Sequence, residues 1–231
     1  MINELFESSL FLGVSLSLLG YEIGLLLKKK WKLALFNPLL ISIVLVMICL
    51  QVFQIPYPKY NEGAKYLSYL LTPATVCLAI PLYQQIHILR QNGLAILTGV
   101  IAGALSSMGS VLGLSVLFEL SHKEYVTLLP KSITTAIGMG ISEELGGIVT
   151  ITVAVIIITG VIGNMLAETV CRLFRISDPV AKGIGIGSSS HAVGTARAME
   201  IGEIEGAMSG LSIAVSGLVT VIGASFFAML Y

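Results

Sequence analysis

The chain has 231 residues, 55% of them hydrophobic and 11% charged, and its 13 basic and 13 acidic side chains cancel to a formal net charge of zero. Soluble proteins carry roughly a quarter charged residues, so this chain has too few to cover a surface in water. The composition excludes a soluble globular domain, and the zero balance supplies no global attraction to nucleic acid.

The apolar residues come in long blocks with no helical or strand spacing, the pattern demanded by lipid on all sides. The first block spans about 5–27 and follows Met1-Ile2-Asn3-Glu4, which lacks a basic n-region. No small-residue cleavage site follows it, so it reads as a retained span and not a secretory signal. Five further blocks near the spanning length of about 20 residues lie at about 34–54, 66–86, 93–118, 146–171 and 206–230. Asn37-Pro38 opens the second, where proline costs a helix little. Glu22 is expected at the interface, and Asn164 to bond across helices. Cys49, Cys77 and Cys171 show no paired spacing and read as small buried hydrophobes.

Between the later blocks, 128–145 and 181–200 are glycine-rich and more polar. The expected fold is an all-α integral membrane protein. It has about six transmembrane helices plus two glycine-broken re-entrant segments, in a single domain over 1–231. Lysine and arginine in short loops set the orientation. The cluster Lys28–Lys30 with Lys32 is expected in the cytoplasm, with Arg90, Arg172, Arg175 and Lys182. The loops 55–65 and 119–127 are expected outside. Six spans satisfy this if 128–145 dips in from outside and 181–200 from the cytoplasm. An internal echo supports repeat-like halves: LLTPATVCLAIPLYQQ around Pro73 aligns with LLPKSITTAIGMGISEE around Pro130. Interrupted segments in two halves, here near 66–86, 128–145 and 181–200, point to inverted repeats with a site where broken helices meet.

Two constellations can carry chemistry. Leu129–Gly147 opens on Pro130 at an expected helix start, then sets Lys131, Thr134 and Thr135 among apolar neighbours. An ammonium with hydroxyls suits a small carboxylate, replacing the water it loses; the alternative makes Lys131 an interfacial anchor. In Lys182–Glu200, Gly183, Gly185 and Gly187 alternate, allowing close backbone approach to a ligand, and Ser189, Ser190, His191, Thr195 and Arg197 follow. A helix from about Ser190 would put His191, Thr195 and Ala198 on one face and aim free N–H groups at an anion. Arg197 can grip a carboxylate with two parallel bonds, or else pair with Glu200. The glycine spacing is not a dinucleotide fingerprint. Serine with His191 lacks an orienting carboxylate for hydrolysis, and the three histidines lack metal-binding spacing. No enzyme, metal or cofactor is expected.

Leu129–Gly147 and Gly185–Gly210 resemble the two signature regions of the LrgB family of antiholin-like membrane proteins, with weaker matches at Asn37-Pro38 and Leu71–Thr75. The resemblance covers essentially the whole chain. It implies a multi-pass protein of the bacterial plasma membrane with a small LrgA-type holin-like partner, a pair described as modulating murein hydrolase activity, autolysis and cell death. Plastid relatives carry glycolate and glycerate, and bacterial relatives are linked to pyruvate. Relatives often have proline where this chain has Ala136, which leaves Gly138 and Gly140 to break the helix, and a Thr-Ala pair near Ser188-Ser189. Two functions follow as expectations. One is secondary transport of small monocarboxylates, with Lys131, Thr134, Thr135, Ser189, Ser190, His191, Thr195 and Arg197 lining the site and His191 carrying a coupled proton. The other is a non-transporting antiholin that restrains its partner. A homo-oligomer is also expected.

Overall fold

The computed structural model describes residues 11–31, 36–77 and 79–231. The expectations for 5–10, Lys32 and 34–35 lie outside the described residues. Every regular element among the described residues is a helix, and the chain divides into two compact units, 1–77 and 78–231.

In the first unit α1 (Leu12–Trp31) packs on α2 (Pro38–Val52) and α3 (Tyr57–Ser68), and α4 (Leu71–Cys77) follows. Lys28, Lys29 and Lys30 fall in the last turn of α1, where the negative end of the helix dipole favours them. Asn37 caps α2 by accepting from the Leu39 N–H at 2.9 Å, with Pro38 at a position whose N–H has no helical acceptor. A Cβ on Gly24 would lie 2.7 Å from the Pro38 Cα, so a glycine is what lets α1 and α2 touch. The region 55–65, expected as a loop, instead enters α3 through Pro56 and Pro58. Ser17 Oγ and Tyr60 Oη sit 2.8 Å apart and tie α3 to α1. Tyr57 and Tyr66 are exposed beside Lys59 and Lys65, the dress of an interfacial helix.

The second unit contains α5 (Ala79–Gln84), α6 (Ile86–Leu117), α7 (His122–Leu128), α8 (Thr135–Glu144), α9 (Val149–Leu173), α10 (Pro179–Ile201) and α11 (Glu203–Ala228). Among the described residues, three helices are long and apolar enough to cross a membrane: Arg90–Leu117 within α6, α9 and α11. The block 66–86, expected as a span interrupted at Pro81, falls across α3, α4 and α5, with a turn at Tyr69-Leu70 between the first two. Pro73 lies in the first turn of α4, where a missing N–H costs a helix little. The region 119–127, expected as a loop, forms α7. It starts on a capping box in which the Ser121 N–H donates to Glu124 Oε2 at 2.7 Å and the Glu124 N–H to Ser121 Oγ at 3.3 Å. Tyr125 and Val126 then bury fully against Met108, Val111 and Ala224.

Helix α11 packs on α10 and α6, and its faces are reversed relative to a helix in water. Ser209, Ser212, Ser216 and Thr220 are buried, whereas Leu218, Ile222 and Phe226, four apart, are 63%, 71% and 62% exposed. Small hydroxyl residues permit close helix contact, and the apolar stripe suits lipid. The cysteines depart from the expectation of burial: Cys77 is exposed and Cys49 and Cys171 only half-buried.

Candidate functional site

Between α6, the 129–134 turn, α9 and α10 lies a cavity of about 660 Å³. Pro130 is not the helix start anticipated. The chain turns through it, and α8 begins only after Thr134, which is extended. Gly138 and Gly140 lie inside α8 and do not break it, because Gly138 packs against the Ile156 side chain while Gly140 faces open space. The turn brings Lys131 and Ser132 to the cavity opposite Ser189 and Ser190.

The Lys131 ammonium donates to Ser107 Oγ at 3.2 Å and Ser132 Oγ at 3.1 Å, and no carboxylate pairs with it among the described residues. An ammonium has three donors, so one remains. Ser107 donates to Ser132 at 2.8 Å, which makes Ser132 an acceptor twice over with its own proton uncommitted. Ser189 donates to the Gly185 carbonyl at 2.7 Å, so it is the acceptor in its 3.0 Å bond with Ser190, whose proton that bond uses. Three donor groups thus face one cavity: the third Lys131 N–H, the Ser132 hydroxyl and the Lys182 ammonium. Such a set accepts an anion. Ser106, Ser107 and Ser110 of α6 also line it, residues the sequence reading missed. Their signal was three serines within five residues of an otherwise apolar span.

Helix α10 starts at Pro179, capped by Asp178, so the alternating glycines lie inside a helix and not ahead of one. Its break comes at His191, whose φ of 43° and ψ of −140° are strained for a residue with a side chain. A carbonyl only accepts, so His191 Nε2 carries the hydrogen in its 2.9 Å bond to the Ile156 oxygen. Asn164 donates across helices to the Val193 carbonyl at 2.7 Å, as anticipated for it. Thr195 Oγ1 donates to the His191 carbonyl at 3.0 Å. The ring sits where a Cβ on Gly160 would be, 2.6 Å from Cε1.

Of the eight residues expected at the site, Lys131, Ser189 and Ser190 line this cavity and Thr134, Thr135, His191, Thr195 and Arg197 do not. His191, Thr195 and Ala198 are all buried. Arg197 pairs with Glu168 of α9 at 2.5 Å and with Glu200, which occupies the guanidinium edges a substrate would need. Both carboxylates are more than a third exposed, and such pairs contribute about 0.2–1 kcal/mol. Thermal unfolding in detergent should therefore shift only slightly in Arg197→Ala, and Glu168→Ala should add nothing in that background. Loss of carboxylate binding in Arg197→Ala at unchanged stability would instead put the guanidinium on the substrate. No group of His, Cys, Asp and Glu among the described residues is arranged to hold a metal.

These features define a helical membrane protein with a cavity lined by lysines and serines between α6, α9 and α10. Residues 17–230 match the LrgB-like family, and the chain belongs to it. It is 38% identical over 213 residues to the "Antiholin-like protein LrgB" of Bacillus mycoides, covering 92% of this chain and 93% of that protein. The proteins of the same name from Bacillus cereus and Bacillus anthracis match with the same identity and coverage. No solved structure matches the chain.

Proposed function

We propose that this protein is a secondary transporter of small monocarboxylates of the pyruvate and glycolate type, multi-pass in the bacterial plasma membrane. Its flux would bear on murein hydrolase activity and autolysis, and a small holin-like protein would be its partner. One observation carries the reading: a lysine with no carboxylate partner among the described residues, donating to two serines, at a cavity large enough for a small organic acid. An unpaired charge in a low-dielectric setting is costly, and ionisable groups at membrane depth are functional by default. A monoanion offsets that cost while the serines replace its water.

In this reading 128–145 and 181–200 approach from opposite faces, and the convergence of Lys131 with Ser190 supports it. His191, Thr195 and Arg197 then hold the broken helix in place. The second reading, a non-transporting antiholin, is favoured by the name of the relatives. Uptake of labelled pyruvate and glycolate into proteoliposomes holding the purified protein alone separates the two. Accumulation above that of protein-free vesicles, blocked by excess unlabelled acid, is the expected result. Vesicles that take up neither acid would leave the antiholin reading.

A further inference from the structure

The C-terminal end of α9 and the start of α10 bound a second cavity, of about 590 Å³. Arg172, Arg175 and Lys182 line it with a single carboxylate, that of Glu168. Glu168 is already committed to Arg197. No ion pair among the described residues engages Arg172, Arg175 or Lys182. Cys171, Ile176 and Lys182 line both this cavity and the one at Lys131, so the two share a wall and a cation. Beyond that wall the inner cavity is apolar, through Leu166, Ala167 and Val170.

Retention of basic residues on one membrane face requires only charge near the surface. It does not require that the charges surround a hollow abutting a half-buried lysine. A concave site of one sign with low-dielectric walls focuses field and concentrates counter-ions. We propose that the outer cavity is a second anion site, where Arg172, Arg175 and Lys182 collect a free small carboxylate before Lys182 and the shared wall deliver it to Lys131. The delivery step rests on reading the Lys131 cavity as a translocation site; the outer binding site does not.

Two measurements on the purified protein test it. In phosphatidylcholine vesicles, the double variant R172Q/R175Q should raise the KM for pyruvate uptake about tenfold, the lower end of electrostatic focusing, with the maximal rate little changed. Its KM should also lose most of the salt dependence seen in the parent, and R172K/R175K should restore both. In detergent, equilibrium dialysis with labelled pyruvate should find weak, salt-sensitive binding left in Lys131→Gln and none in K131Q/R172Q/R175Q. An unchanged KM and salt dependence in R172Q/R175Q, or no binding in Lys131→Gln alone, would overturn the proposal. A difference that appears only when phosphatidylglycerol is added would assign the cavity to a lipid headgroup and overturn it equally. If the parent binds pyruvate in this divided way but transports none, the transport reading fails and the anion site stands.

Discussion

Replacing Lys131 by glutamine is expected to cut monocarboxylate uptake about 100-fold, on the basis of the roughly 3 kcal/mol at the upper end for a hydrogen bond to a charged group. The ammonium is the only cation that the 129–134 turn brings to the cavity, and its two serine partners are neutral. Glutamine retains N–H donors, one bond shorter, but no charge, so a carboxylate beside Ser132 would lose the cation nearest to it and keep only the Lys182 ammonium at the far wall. The fold should survive, since removing an unpaired charge relieves desolvation and leaves no orphaned acid. Ser132 and Ser107 still bond to each other. Uptake assays with thermal unfolding of the same preparation check both halves. Normal flux in Lys131→Gln would return the lysine to the role of an interfacial anchor.

Gly187→Ala is expected to be the most destabilising of the single-methyl additions to the glycine run, and Gly185→Ala close to neutral. A Cβ at Gly187 would collide with the backbone carbonyl of Ser209 and lie 2.8 Å from its Cα. At Gly183 it would come 2.6 Å from the Glu205 carbonyl oxygen, whereas at Gly185 it meets nothing within 4 Å. Backbone atoms cannot rotate away, so α10 and α11 must separate, and overpacking of this kind costs about 1–3 kcal/mol. Gly185 faces the Lys131 cavity, and alanine there gains helix propensity. Unfolding midpoints of the three variants in one detergent give the order directly. Equal effects at 185 and 187 would mean that the run serves backbone flexibility and not packing.

The long apolar elements were legible without a structure because hydropathy is local: the blocks at 93–118, 146–171 and 206–230 reappear as α6, α9 and α11 within a few residues. The block at 66–86 was expected to be interrupted, from Pro81, whereas the turn at Tyr69-Leu70 between α3 and α4 carries no such mark in the sequence. The expected loops 55–65 and 119–127 are helices since short amphipathic runs with proline or capping-box starts carry little hydropathy signal. At the site, Lys131, Ser189 and Ser190 were identified by being polar where their neighbours are not. Arg197 met the same criterion and is held by Glu168, a residue 29 positions away that no local reading could pair with it.

Composition alone determined that this chain resides in lipid, because 26 charged side chains in 231 residues cannot clothe a soluble surface. It also picked out the two polar segments and, through their motifs, the family. Only the tertiary structure decided which glycines are contact points, where α10 breaks and that Lys131 has no carboxylate partner among the described residues. The three alternating glycines are identical as letters. Gly183 and Gly187 differ from Gly185 solely in that one face of α10 meets α11 and the other a cavity. Likewise the break falls at His191 and not at a glycine, because Ile156, Asn164 and Thr195 supply the bonds that hold a strained backbone there. Hydropathy depends on each residue and its neighbours in sequence, whereas pairing and packing depend on what the fold brings alongside.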